Sequence, residues 1–323
     1  MINVRYILER ILWAIPVVLL ATFFIFSMMF LAPGGPVQAL LGTAGNHAQV
    51  QQLRAQLGLN RPIPVQYADW LVHMLQGDLG NSLVTKAGAP VSELIFGRIG
   101  VTIELAAYAL LIALVIAIPS GILSALHRNT WIDHVSRLGS IVGVSIPYFW
   151  LGLVVIVLFG VYLHQSWVLQ GYVPLSKGLV ANLRSLFLPA LVLSVPYVAQ
   201  IARMTRSSML DALNSDYVRT GRAMGLKQRT VVYRDAFRNG FIPVFTVIGM
   251  SFGLLIRGTV LIEIVFTIPG IGKLLTQAAF TRDFPVLQGL MFVIALIFVL
   301  TNLFVDIMYP FIDPRIAGGG GGR

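Results

Sequence analysis

The apolar residues of this chain fall into separate blocks, each long enough to cross a hydrocarbon layer of roughly 30 Å, which takes about 20 helical residues. Bounded by charge, Pro or Gly, they run from about Ile11 to Leu31, Val101 to Leu126, Leu138 to Leu163, Phe187 to Met204, Phe241 to Phe266 and Leu287 to Tyr309. Hydrocarbon offers backbone groups no hydrogen-bond partners, so such blocks must be helices. The expected fold class is therefore all-α, a polytopic membrane protein with six transmembrane helices. Composition agrees, with 57% hydrophobic and 11% charged residues and a mean hydropathy of +0.82. The first block follows a basic, signal-like start but continues to Leu31 without a small-residue cleavage site, so it reads as an uncleaved span. Pro189 and Pro196 interrupt the fourth, which reads as a kinked helix.

Orientation follows from Lys and Arg, which concentrate on the cytoplasmic side of short loops. Arg128, Arg137, Arg203, Arg206, Arg219, Arg222, Lys227, Arg229, Arg234 and Arg238 lie in segments 127–137 and 203–239, on the side of the termini. Both termini are expected in the cytoplasm. The same bias accounts for the net charge of +10 without a nucleic-acid partner. The chain has no cysteine, which excludes thiolate metal sites, disulfides and cysteine nucleophiles.

The organisation expected is an N-terminal segment and first span over 1–31, an external segment over 32–99, a permease-like core over 100–315 with a cytoplasmic segment at 205–239, and a low-complexity tail at 316–323. The external segment is too long for a simple loop. HAQVQQLRAQLGL places Val50, Leu53 and Leu57 on one helical face, and PVQYADWLVHMLQGDLG places Tyr67, Trp70, Leu71, Met74 and Leu75 on another before Gly77. Three roles fit these helices: packing on the spans, lying in the headgroup layer, or receiving an external partner. Ser82 is expected to be accessible from outside.

Catalytic and nucleotide motifs are missing. The glycines of IPGIGK lack phosphate-loop spacing, no HExxH or EF-hand loop occurs, and His47, His73, His127, His134 and His164 include no i, i+4 pair. Metal is not expected, nor is ATP bound by this chain. Ionisable residues inside spans are costly and mark functional positions by default. Here they are Glu104, Arg257, Glu263 and Asp306. Arg257 lies deepest, and two accounts fit it equally: an ion pair across helices or a charge facing a pathway.

Residues 216–243, DYVRTGRAMGLKQRTVVYRDAFRNGFIP, are of another kind. Asn214 or Ser215 is placed to cap a helix of two to three turns, Gly225 to end it, and a second helix fits QRTVVYRDAFRN before the fifth span. A helix of that length can lie across the membrane face and dock in a groove of another protein. Basic insertion signals explain the arginines but not Tyr217, Val218 and Met224.

DYVRTGRAMGL followed by AFRNGFIPV resembles the cytoplasmic coupling segment of ABC importer permeases of the dipeptide/oligopeptide/nickel family. LAPGGPV, LGLNRP, GDLGNS, SIPYFW, RMTRSSML, IPGIGKLL, RDFPVLQG and NLFVDIMYPFIDPRI follow that family's order along the chain. The long first external segment with GDLGNS is similar to the B-type subunit. Gly221 departs from the family's alanine, and Met224 stands where a lysine is usual.

The resemblance implies a type I importer permease and assigns ATPase coupling to Tyr217, Val218, Arg219, Thr220, Gly221, Arg222, Ala223, Met224, Gly225 and Leu226. Segment 32–99, with Gly77, Asp78, Leu79 and Gly80, is expected to contact the binding protein or the outer gate, since two amphipathic helices and GDLGNS are more than a connection needs. The partners the resemblance implies are a second, C-type permease subunit, two ATPase domains or subunits that hold ATP and Mg, an external solute-binding protein, peptide cargo and the lipid of a bacterial plasma membrane. The chain itself would be non-catalytic. A self-sufficient secondary transporter or channel is the alternative, with Arg257, Glu263 and Asp306 as a relay.

Overall fold

The computed structural model describes residues 4–31, 59–165 and 171–312, with isolated positions between 32 and 58, and side chains between residues 12 and 303. The first expected external helix (47–59), the tail and the side chain of Asp306 lie outside the described residues. Ten helices are described: α1 (Val4–Leu31), α2 (Ile63–Leu75), α3 (Val91–Leu126), α4 (Trp131–Ser145), α5 (Tyr148–Ile156, continued by a π-helical turn Val157–Tyr162), α6 (Leu179–Leu213), α7 (Asp216–Ala223), α8 (Gln228–Val265), α9 (Ile271–Thr281) and α10 (Phe284–Ile312). The one extended pairing among the described residues is an isolated bridge, Asn81 to Pro90.

Among the described residues four helices are long and apolar enough to cross a membrane: α3, α6, α8 and α10, the last over Phe284–Leu303. A fifth span arises if α4 and α5 cross together, although they meet at 93°. The sequence reads 138–163 as one block, and Pro147 is why the structure does not. Its ring disfavours helical geometry at the preceding residue, and Ile146 is extended (φ −84°, ψ 125°). In α1 the described apolar stretch is Ile15–Ser27, shorter than a span.

Helix α6 runs through Pro189 and Pro196 without a break. Helix α8 is likewise continuous, so the expected second cytoplasmic helix and the fifth span are one element. Gly240 stands at the expected boundary but does not end the helix: it lies against α6, where a β-carbon would meet the Ser208 carbonyl oxygen at 3.0 Å. The helix carries a π-helical stretch, Val231–Ala236.

The chain divides into two compact units. The larger comprises residues 103–268 with the described stretches 4–6 and 301–312. In it α6 packs against α4, α5 and α8, and small residues such as Ala113, Ala117 and Ala202 close the core with Ile201, Val244 and Val247. The smaller comprises residues 7–102 and 269–300. There Tyr67 meets Thr22 (2.9 Å) and donates to the carbonyl of Leu19 (3.1 Å), and Trp70 touches the rings of Phe26 and Phe292. Of the three roles open to α2, packing on spans is the one its Tyr67, Trp70 and Met74 face adopts. Leu75, expected on that face, is 68% exposed.

Candidate functional site

Helix α7 ends as its glycine requires. The N–H of Gly225 donates to the carbonyl of Arg222 (3.0 Å) and that of Leu226 to Gly221 (3.1 Å), the paired bonds of a Schellman stop. Gly225 supplies the left-handed residue this stop needs, at φ 78°. The other end differs from expectation. Ser215 occupies the capping position, yet its hydroxyl turns back to the carbonyl of Ala212 and closes α6 instead. Asp216 in the first turn favours the positive end of the helix dipole.

The apolar residues of α7 do not share one role. Val218 is 1% exposed and packs in a cluster with Ile122, Ala125, Met209, Val231 and Val232. Tyr217, Met224 and Leu226 are 44%, 70% and 43% exposed. Val218 is thus the anchor, and the outward surface consists of Tyr217, Arg219, Thr220, Arg222, Ala223 and Met224. Gly221 is buried, and a β-carbon there would meet Leu226 at an ordinary 3.4 Å.

The helix ends beneath this anchor are locked by a contact the sequence reading missed. Fully buried Asp133 accepts both Arg206 Nε (2.6 Å) and Nη2 (2.8 Å), with Ser124 Oγ (2.7 Å) and the N–H of Asn129 (3.0 Å) as further donors. A buried carboxylate met by a bidentate guanidinium and two neutral donors has its acceptor capacity largely filled.

In the smaller unit, Gly77 and Gly80 are both left-handed (φ 85° and 76°), Asp78 Oδ1 accepts the N–H of Gly80 (3.0 Å), and Leu79 is buried in the core. The loop that follows wraps a second buried carboxylate. Asp283 Oδ2 accepts Ser82 Oγ (2.6 Å) and the N–H groups of Val84 (3.1 Å) and Thr85 (2.8 Å), and Oδ1 accepts that of Leu83 (3.1 Å). Burial pushes this carboxyl up, but the Ser82 hydroxyl and the three backbone donors outweigh it and hold it below the usual carboxylate range. Ser82, expected to be accessible, is 1% exposed because it is part of this clamp.

Two of the intramembrane charges lie on different faces of one helix. On α8, Glu263 is fully buried and Arg257 exposed, as their six-residue spacing implies. Glu104 accepts Tyr172 Oη at Oε2 (2.9 Å), while its buried Oε1 has no hydrogen-bond partner among the described residues. Burial and that bond push the Tyr172 hydroxyl up to about 12, so it remains a donor. No group of three or more candidate ligands for a metal occurs among the described residues.

The described residues thus combine long apolar helices with a short helix projecting basic and apolar side chains. Residues 117–318 match the family described as binding-protein-dependent transport system inner membrane component, and residues 3–106 match the N-terminal family of such membrane components. The chain belongs to this family. This permease is 40% identical over 314 residues to the oligopeptide transport system permease protein AppB of Bacillus subtilis (strain 168), covering 96% of this chain and 98% of that one. It is 39% identical over 340 residues to the dipeptide transport system permease protein DppB of Alkalihalophilus pseudofirmus, with the same coverage. Among solved structures, the permease shares its fold with an inward-facing MetNI methionine ABC transporter (TM-score 0.55, 17% identity, 68% of this chain and 96% of that chain).

Proposed function

We propose that this permease forms half of the translocation pathway of an ATP-driven importer for peptides in a bacterial inner membrane. The match along 96% of the chain to permeases named for oligopeptides and dipeptides carries the reading. A second permease subunit completes the pathway, an external binding protein delivers cargo, and ATPase subunits with ATP and Mg supply the work. Six spans with both termini in the cytoplasm place residues 205–239 on the ATPase side.

Mechanistically, α7 is a lever. Tyr217 and Met224 enter a groove of an ATPase subunit, Arg219 and Arg222 meet its rim, and Val218 transmits the displacement to the ends of α3 and α6. Alternating access then follows from rigid movement of packed helices rather than from chemistry in this chain. The secondary-transporter reading loses ground because Arg257 and Glu263, two of the charges it needs, face different surroundings.

Reconstitution of the whole complex in liposomes tests the proposal. Uptake of labelled dipeptide should require both ATP and the binding protein. Uptake by the purified chain alone under an ion gradient would contradict it.

A further inference from the structure

Arg257 is an exposed cation on α8, about 12 Å along the helix from Val265 at 1.5 Å per residue. Among the described residues it has neither an ion pair nor a hydrogen bond. A guanidinium facing lipid at such a depth is costly, so its surroundings in the assembled protein must be polar. The adjacent residue shows what stands beside it. A β-carbon on Gly258 would lie 3.5 Å from Tyr197 Oη and 3.7 Å from Tyr148 Oη, so two phenol hydroxyls from different helices converge next to the arginine. Both feel its charge, and neither has a hydrogen-bond partner among the described residues.

We propose that Arg257, Tyr148 and Tyr197 form a carboxylate-binding station on the translocation path, which takes the free carboxylate of a peptide in transit. The donor set defines the ligand class. A planar guanidinium and two O–H groups, with no carboxylate among them, complement the paired oxygens of a carboxylate. An ion pair with the second permease would satisfy Arg257 but leaves two idle hydroxyls unexplained. Every linear peptide with an unmodified C-terminus carries one carboxylate whatever its sequence, which suits a station that does not read side chains. The proposal rests on the peptide-importer reading, and its test separates the two.

The first arm is independent of cargo. The chain is cysteine-free, so Arg257→Cys in the assembled complex reports whether the position meets water. Labelling of this chain by a membrane-impermeant methanethiosulfonate, followed by mass spectrometry, is expected; an inert cysteine overturns the station. The second arm measures uptake of labelled dialanine by the reconstituted complex. Loss of a charge-assisted bond should lower uptake about tenfold in Arg257→Gln, and Arg257→Lys should recover part of it. Tyr148→Phe with Tyr197→Phe should lower it about threefold, as neutral bonds are weaker. Unchanged uptake in Arg257→Gln, or loss of the second permease from the purified complex, overturns the station, the latter in favour of an ion pair between subunits. A wild-type complex that takes up no peptide while the cysteine labels overturns the peptide reading, and the carboxylate assignment falls with it.

Discussion

Two helices of this permease end in the same backbone arrangement and could hardly differ more in sequence. Helix α7 closes with bonds from Gly225 to Arg222 and from Leu226 to Gly221; helix α9 closes with bonds from Arg282 to Ala279 (3.3 Å) and from Asp283 to Ala278 (2.9 Å). At the first stop the left-handed residue is a glycine, which adopts φ 78° freely. At the second it is Arg282 at φ 57°, a conformation that costs a residue with a β-carbon about 1–2 kcal/mol. What offsets the second is the residue it delivers, since Asp283 is met by four donors of the 82–85 loop. A stop made by glycine is local and exposed; a stop made by arginine depends on contacts nearly 200 residues away in the chain.

Breaking the second stop should have the largest effect. Asp283→Ala leaves three N–H groups and the Ser82 hydroxyl without an acceptor, and we expect a loss of roughly 3 kcal/mol or more, read as a lower unfolding temperature of the purified complex. The clamp also carries a pH signature. Because the folded carboxyl titrates below its unfolded value of about 3.9, its contribution is complete above that value and is lost as pH falls through the folded one. Stability of the wild type should therefore fall more steeply below about pH 4 than that of Asp283→Asn.

The first stop should respond differently. Gly225→Val forces a β-branched residue into the left-handed region, costing about 1 kcal/mol or more locally, while the Asp283 clamp stays intact. We expect insertion and assembly to survive, with ATP hydrolysis uncoupled from uptake. Lys227→Ala, beyond the turn, should couple normally. Arg282→Gly sharpens the contrast, because it relaxes the same geometry and should not lower stability by more than its side-chain contacts contribute.

This contrast also explains what was legible in the sequence. Gly225 announced its stop, and the boundaries of α7 followed from it. Arg282 carries no turn signature, so RDFP and GDLGNS do not betray the Asp283 clamp, and Ser82 reads as a surface residue. Asp133 and Arg206 escaped for the same reason, since partners 73 residues apart in the chain leave no periodic trace. Apolar length reads α3, α6, α8 and α10 as spans, but Pro147 bends another block, the described apolar stretch of the first is only Ile15–Ser27, and Gly240 does not part α8 from the segment before it. Within α7, hydrophobicity marked Tyr217, Val218 and Met224 alike, and only packing shows Val218 turned inward.

The smallest effect should come from Gly221. An alanine there meets Leu226 at van der Waals distance and raises helix propensity, so Gly221→Ala should stabilise α7 by about 0.5–1 kcal/mol, seen as slower amide exchange across residues 216–223. Slower exchange with unchanged transport would show that the lever needs no looseness at this position.

Cross-linking from α7 tests the central claim most directly. With the cysteine-free chain as background, Met224→Cys, on the exposed side of the helix, should form a short-range cross-link to an ATPase subunit in the reconstituted complex, and the link should change with nucleotide. Lys86→Cys, in the external segment, should form none. Silence at Met224 and Tyr217 in a complex that hydrolyses ATP, or equal cross-linking at Lys86, would contradict the assignment of this helix as the coupling lever.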